Sequence, residues 1–220
     1  MLQKLKYMFY PLWITVLLAI SFSSQAISLS VNLDTSPLIG GATGPYYIEF
    51  QLIDGDGINN NYAKIGNFDF GGGSAQGSPV LGGGVTGSLG SGIAMLDLDF
   101  SNFFYEQFTP GNFLSFIVTL TDNYIASSIP DEFSFSILNS ALNEVPTDGP
   151  GNELVSVYPG PSLVLNTYSG IDTGNDPVLN GSLDVVFVPE PATILLFSFF
   201  PLTGMLRKPF VYFRNEGTTT

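Results

Sequence analysis

Between residues 27 and 187, apolar and polar side chains alternate with a period of two in short runs separated by turn-forming residues. Side chains on a strand point alternately to its two faces, so each run gives one face to a core and one to water. No window shows the sustained 3.6-residue stripe of an amphipathic helix. The pattern predicts about nine strands, at residues 27–33, 47–52, 62–70, 96–100, 114–121, 133–137, 153–158, 163–168 and 183–187.

Strands with one apolar face need a partner layer, because a single open sheet would leave a large apolar face in water. We therefore predict an all-β domain over residues 27–187. Its expected architecture is a two-sheet antiparallel β-sandwich, jelly-roll-like, with the strand order left open. A sheet closed on itself is an alternative that the same pattern permits.

The distribution of charge excludes several classes of function. The chain has 19 acidic residues, and 17 remain between residues 27 and 188 once Glu190 and Glu216 are set aside. The single basic residue of that span is Lys64, which gives a net charge of −16. Such a body repels nucleic acid and attracts divalent cations. The chain also contains no Cys and no His, which excludes disulfides, His-based zinc sites and a Ser-His-Asp triad.

Residues 1–26 have the three parts of a secretory signal peptide. Lys4 and Lys6 form the charged start, residues 12–20 are apolar, and Ser24 and Ala26 are the small residues that a signal peptidase reads. Cleavage is expected between Ala26 and Ile27. The alternative is an uncleaved anchor, although the apolar run is short for the roughly 20 residues that span a bilayer.

Residues 188–220 have the pattern of a targeting segment. Val-Pro-Glu-Pro at residues 188–191 precedes an apolar segment, residues 192–206, and a basic stop formed by Arg207 and Lys208, after which a short tail follows. The apolar segment predicts a C-terminal transmembrane helix that just spans the bilayer when extended by its flanks. Basic residues at both ends of the chain place both termini initially in the cytoplasm, with the acidic body across the inner membrane.

This arrangement is similar to the PEP-CTERM sorting signal of Gram-negative bacteria. Pro189, Glu190 and Pro191 match its motif position by position, and residues 67–75, 103–111 and 130–135 look like one subfamily of PEP-CTERM proteins with an NFDFGGGSA-type body. The resemblance implies recognition by exosortase, a membrane protease that removes the tail, and release to the cell surface or the extracellular space. It also implies an exported β-rich protein associated with exopolysaccharide and biofilm, without a known catalytic activity.

One loop pattern suggests calcium binding. Asp54 and Asp56 begin a loop, residues 54–61, that is rich in the oxygen donors Ca²⁺ prefers, although the spacing fails as an EF-hand. A plain Asp-Gly turn explains the same residues without an ion.

The glycine-rich residues 71–84 lack the lysine and the following helix of a phosphate loop, so a connection between strands or a tight backbone crossing is expected there.

The leading hypothesis is a non-enzymatic surface or matrix protein with no obligatory cofactor. The alternative is a carbohydrate-binding module that stacks exposed tyrosines on exopolysaccharide. The tyrosines considered are Tyr46, Tyr47, Tyr62, Tyr124, Tyr158 and Tyr168. A remote third hypothesis is a glycoside hydrolase that uses a carboxylate pair. The pairs considered are Asp131–Glu132, Asp97–Asp99 and Asp172–Asp176.

Overall fold

The computed structural model describes residues 26–123, 129–160, 163–174, 177–179 and 184–188. All of them lie within one compact unit, Met1–Pro189. They form twelve β-strands and one short 3₁₀ helix, Ser36–Leu38. The strands are β1 (Ala26–Asp34), β2 (Tyr46–Ile53), β3 (Tyr62–Asp69), β4 (Ser74–Gly82), β5 (Gly84–Ser88), β6 (Gly92–Leu96), β7 (Ser101–Thr109), β8 (Phe113–Thr121), β9 (Glu132–Leu138), β10 (Val155–Tyr158), β11 (Val164–Thr167) and β12 (Asp184–Val188).

The strands form two antiparallel sheets of six. The first sheet has the order β12-β1-β8-β3-β6-β5, and the second has the order β11-β10-β9-β2-β7-β4. Each sheet ends in two edge strands, so neither is closed on itself in the described part of the chain. The predicted all-β fold with two antiparallel sheets is confirmed.

The core lies between the inner faces of the two sheets. On β2, Tyr46, Ile48, Phe50 and Leu52 are buried while their neighbours remain partly exposed, which is the predicted alternation. The ring of Phe50 lies at the centre. Its centroid lies 5.2, 5.5, 5.9, 6.0 and 6.2 Å from the ring centroids of five other phenylalanines. The partners are Phe116, Phe135, Phe133, Phe104 and Phe68. Burial of each such ring stabilises the fold by about 1.5–3 kcal/mol.

The predicted strand at residues 96–100 is wrong. The backbone leaves β6 at this point because Asp97 is buried and accepts the backbone N–H of Asn61 at 2.7 Å. The amide of Asn102 then bonds both backbone groups of Asp99, at 3.2 and 2.6 Å, and this holds a turn. Phe100 was expected to face the core, but it is 74% exposed.

Most of the glycine-rich residues 71–84 form an edge strand, β4, and most of the remaining ones form connections. A Cβ at Gly73 would collide with the backbone carbonyl of Thr109, so this position requires glycine for the close approach of β4 to the end of β7. A Cβ at Gly82 would collide with the ring of Phe103, which lies against the Gly82 backbone. The expected tight backbone crossing is therefore present, but it is built into a strand.

Most of the predicted signal peptide and sorting segment lies outside the described residues. Of these segments, the structure describes Ala26, which begins β1, and Val188, which ends β12. Val188 pairs with Ser28, so the two ends of the described domain lie side by side at one edge of the first sheet. Among the described residues, no helix has the length and apolarity required to cross a membrane.

Candidate functional site

Three aspartates meet at one end of the sandwich. Asp54 and Asp56, the calcium ligands predicted from the sequence, follow β2, and Asp131 immediately precedes β9. Each offers one carboxylate oxygen, and these oxygens lie within 4.8 Å of one another. The pairing of Ile53 with Glu132 brings the two segments together. Asp131 is distant from Asp54 in the chain, so no local spacing indicated it.

An asparagine fastens this end of the molecule. Asp131 is 3% exposed, and its Oδ1 accepts the backbone N–H of Gly55 at 2.9 Å while its Oδ2 accepts Asn61 Nδ2 at 2.7 Å. Asn61 Nδ2 also donates to the Asn123 carbonyl, at 3.0 Å. Its Oδ1 accepts the Thr121 hydroxyl and the Asn123 N–H, at 2.8 and 3.0 Å. The Asn61 amide therefore links three segments of chain through buried hydrogen bonds.

Negative charge is only partly compensated here. Burial raises the pKa of Asp131, the hydrogen bonds from Asn61 and Gly55 oppose that rise, and the charges of Asp56 and Asp54 add to it. Burial likewise raises the pKa of Asp122. The Oδ1 atom of Asp122 and the Oδ1 atom of Asn60 are buried and have no hydrogen-bond donor among the described residues. Crowded oxygen acceptors of this kind suit a hard cation such as Ca²⁺.

A second candidate site lies on the outer face of the second sheet. Tyr47 on β2 and Phe103 and Tyr105 on β7 point away from the core and are half-buried. The Phe103 and Tyr105 rings are nearly parallel, with centroids 6.4 Å apart and an interplanar angle of 13°. Tyr47 meets Tyr105 edge to face, with centroids 6.1 Å apart. We call these three residues the ring face.

Hydrogen-bonding side chains flank the ring face in register. Gln107 lies directly opposite Tyr47, Glu49 lies opposite Tyr105, and Gln51 lies opposite Phe103. Residues paired in this way on one face of a sheet have Cβ atoms about 4.5–5.5 Å apart. Each ring is therefore next to an amide or a carboxyl group. An aromatic surface bordered by polar groups is suited to a sugar, which has C–H faces and a rim of hydroxyls.

A pocket of about 340 Å³ adjoins the ring face. Its floor contains Glu49 and Gln51, and its wall is the segment that follows β9. Asn139 shapes that wall, because its side-chain oxygen accepts the backbone N–H groups of Ala141 and Asn143 at 3.0 and 3.2 Å. The residues that line the pocket are Glu49, Gln51, Leu138, Leu142, Asn143, Glu144 and Asn152.

The two carboxyl groups in the pocket are both harder to ionise than usual. The pKa of Glu49 is raised to about 7, mainly by burial and further by the charge of Glu144, against a hydrogen bond from Gln51. Burial and the charge of Glu153 raise the pKa of Glu144, while hydrogen bonds with Ser136 and Asn152 lower it. The charge of Glu144 thus acts on Glu49, and the charge of Glu153 acts on Glu144.

Two of the three carboxylate pairs considered from the sequence are held in separate environments. Asp131 bonds Asn61, whereas the neighbouring Glu132 accepts the Tyr158 hydroxyl at 2.8 Å. Asp97 is buried against backbone N–H groups, and Asp99 is exposed. Asp172 is exposed, and Asp176 lies outside the described residues, as do Pro189, Glu190, Pro191, Arg207 and Lys208.

Of the tyrosines singled out from the sequence, only Tyr47 belongs to the ring face, and Tyr124 lies outside the described residues. Tyr46 is buried and shares a hydrogen bond of 2.9 Å with the Thr43 hydroxyl, and Tyr62 is on the first sheet. Phe103 and Tyr105 were missed because residues 101–109 were not assigned to a strand. The available signal was the run Phe103-Phe104-Tyr105, because aromatic residues favour strands.

Comparison with known proteins adds no constraint to these two sites. No protein-family model, curated protein or solved structure matches this chain.

Proposed function

We propose that this chain is an exported, non-enzymatic surface or matrix protein whose β domain binds polysaccharide. The observation that carries the binding part is the ring face: three aromatic side chains on one sheet, each opposite a glutamine or a glutamate. This clustering joins the two leading sequence hypotheses, because a matrix protein that binds the polymer of its own cell satisfies both.

The physical basis is the division of labour between rings and amides. An aromatic ring gives a large, rigid contact at low cost in side-chain entropy, and the glutamines supply both donors and acceptors for hydroxyl groups. Because the rings are only half-buried in the free protein, a sugar that covers them removes further apolar area from water. Tyr47, Phe103 and Tyr105 therefore act as anchors, and Gln51 and Gln107 give orientation.

The test compares Tyr105→Ala with Tyr62→Ala in the full-length chain held in a neutral detergent. Tyr62 is 40% exposed on the first sheet, so it provides the same chemical change away from the ring face. Binding to soluble neutral glucans and to N-acetylglucosamine oligosaccharides is measured by calorimetry. We expect Tyr105→Ala to weaken binding about tenfold or more and Tyr62→Ala to leave it unchanged. Equal effects of the two variants, or no binding by the wild type, would refute the proposal.

The strand order supports a jelly-roll-like description of the sandwich. The run β1-β8-β3-β6 in the first sheet and the run β2-β7-β4 in the second place successive strands alternately in the two sheets, as Greek-key connections do. Strand β5 departs from this alternation, because it pairs with β6 in the first sheet. We propose that this domain is flanked in the precursor by a signal helix and a C-terminal transmembrane helix.

Export and sorting rest on the terminal segments of the sequence. We propose that signal peptidase cleaves between Ala26 and Ile27, that exosortase recognises Pro189, Glu190 and Pro191, and that residues 192–208 hold the chain only transiently in the inner membrane. Replacing residues 189–191 by alanine should trap the protein in the membrane fraction. Release at the wild-type rate would contradict the sorting proposal without affecting the ring face.

Calcium binding is a separate proposal, to which the structure adds a third carboxylate. Asp54, Asp56 and Asp131 would supply the ligands, and the uncompensated oxygens of Asn60 and Asp122 at the same end support it. Millimolar CaCl₂ is expected to raise the melting temperature of the wild type but not of Asp131→Asn. A melting temperature that does not respond to calcium would refute it.

A further inference from the structure

The acidic groups around the ring face define which polysaccharides it accepts, given the polysaccharide binding proposed above. Glu49 lies opposite Tyr105 in the β2–β7 register and also lines the pocket, so the pocket and the ring face are continuous. Glu144 lies on the pocket wall, and Glu153, which is buried, interacts with Glu144. A polysaccharide chain that lies on the ring face is therefore close to carboxyl groups, and the described residues place no compensating cation there.

The only basic residue between residues 27 and 188 is Lys64, and it lies on β3 in the other sheet. A polymer of uronate or sulfate groups would bring like charges together at the ring face, and such contacts cost several kcal/mol when they are desolvated. Neutral polysaccharide chains avoid this repulsion, and positively charged amine-bearing chains are attracted to the same carboxyl groups.

We propose that the pocket beside the ring face seats a sugar unit with a free amino group, and that the domain therefore selects amine-bearing polysaccharide over uronate polymers. The size of the pocket, about 340 Å³, is at the small end of the range for small-molecule sites, as expected for one sugar unit. An ammonium group donates three hydrogen bonds, and the pocket offers the carboxyl groups of Glu49 and Glu144 as acceptors.

The state of these carboxyl groups in the free protein supports the assignment. Burial raises the pKa values of both Glu49 and Glu144, and a neighbouring carboxylate adds to each rise: Glu144 to that of Glu49, and Glu153 to that of Glu144. An ammonium ion placed between them would favour their ionised forms. The amides of Gln51, Asn143 and Asn152 also line the pocket and offer donors and acceptors to the hydroxyl groups of the same unit.

The experiment measures binding of the full-length chain, in neutral detergent and about 0.15 M salt, to four soluble oligosaccharides. The probes are a glucosamine oligomer with free amines, its N-acetylated counterpart of equal length, a neutral glucan and polygalacturonate. We expect the free-amine oligomer to bind at least tenfold more tightly than its N-acetylated form, and polygalacturonate not to bind. In the double variant Glu49→Gln/Glu144→Gln that tenfold preference should disappear.

The matched control is Asp184→Asn, which removes an exposed carboxylate from β12 on the other sheet. If the wild type binds none of the four probes, the proposed polysaccharide binding itself fails. If neutral and N-acetylated probes bind through Tyr105 as tightly as the free-amine probe, the binding proposal stands and the amine selection is overturned. Amine selection is also overturned if polygalacturonate binds, or if Asp184→Asn reduces the preference as much as the double variant does.

Discussion

Replacing Glu49 by glutamine measures what it costs the folded state to hold a carboxylate in the pocket. The pKa of Glu49 is raised from 4.5 to about 7, first by burial and also by the charge of Glu144. A raised pKa means that the folded state holds the proton more tightly than the unfolded state does. Stability is therefore lost as the pH rises from 4.5 towards 7 and is constant above that range.

The magnitude follows from the size of the rise. Each pKa unit corresponds to about 1.4 kcal/mol, so a rise of two and a half units gives about 3 kcal/mol. The Glu49 side chain keeps some contact with water, which screens the charge, and we expect about 1–2 kcal/mol in practice. Glutamine has nearly the same shape and no charge. The Glu49→Gln variant should therefore be about 1–2 kcal/mol more stable than the wild type near pH 8 and nearly equal to it near pH 4.

The assay is urea unfolding followed by far-ultraviolet circular dichroism at both pH values. Asp184→Asn serves as the control, since removal of any negative charge relieves some general repulsion in a domain with a net charge of −16 between residues 27 and 188. The reasoning is refuted if Glu49→Gln changes stability equally at pH 4 and pH 8. It is also refuted if Asp184→Asn gives the same gain at pH 8.

Three further predictions concern packing and the polar network. Phe50→Ala should destabilise the domain by about 3–5 kcal/mol in urea unfolding, because it removes the central ring of the core. Phe100→Ala, at a 74% exposed position, should change stability by less than about 0.5 kcal/mol. Asn61→Ala should cost about 1–3 kcal/mol, since it leaves buried partners without hydrogen bonds, and a cost below about 0.5 kcal/mol would show that the network is dispensable. Gly73→Ala should lower the melting temperature, because the new methyl group collides with the Thr109 carbonyl. Gly66→Ala, whose methyl group meets nothing within 4 Å, should have a smaller effect. Equal shifts in melting temperature would argue against the close approach of Gly73 to Thr109.

The fold class was predictable because alternation directly reports which face of a strand is buried. In strands β2, β8 and β9, large buried apolar residues recur at every second position, and all three strands lie where the period of two places them. The positions between include the polar residues Glu49, Gln51, Ser115, Thr119, Ser134 and Ser136. Strand β7 was missed for the opposite reason: Phe103, Phe104 and Tyr105 are consecutive aromatics that occupy both faces. Alternation of polarity disappears when the outer face of a strand is itself aromatic.

The error at residues 96–100 has a different origin. The run Leu-Asp-Leu-Asp-Phe has a perfect two-residue period, but its conformation is set by partners elsewhere in the chain. Asp97 takes backbone N–H groups from the loop before β3, and Asn102 holds the turn from the other side. Local pattern carries no information about such tertiary hydrogen bonds, so an equally regular sequence became a loop.

The candidate sites show the same limit. Asp54 and Asp56 were identifiable from an oxygen-rich loop, whereas Asp131 joins them only through the register of β2 against β9. Glu49 and Glu144 likewise meet because the segment after β9 folds back over β2. Register and loop closure determine sites that are assembled from several segments, and neither is written in a single stretch of sequence.

The position of the domain ends bears on whether binding and sorting are compatible. Ser28 near the start of β1 pairs with Val188 at the end of β12, so the exits towards the proposed signal peptide and sorting motif share one edge of the first sheet. The ring face belongs to the outer surface of the second sheet, which faces the opposite direction from the outer surface of the first. Val188, the end of the described domain, therefore lies on a different sheet from the ring face. Given the proposed polysaccharide binding, we expect the uncleaved variant with alanines at residues 189–191 to bind as the wild type does.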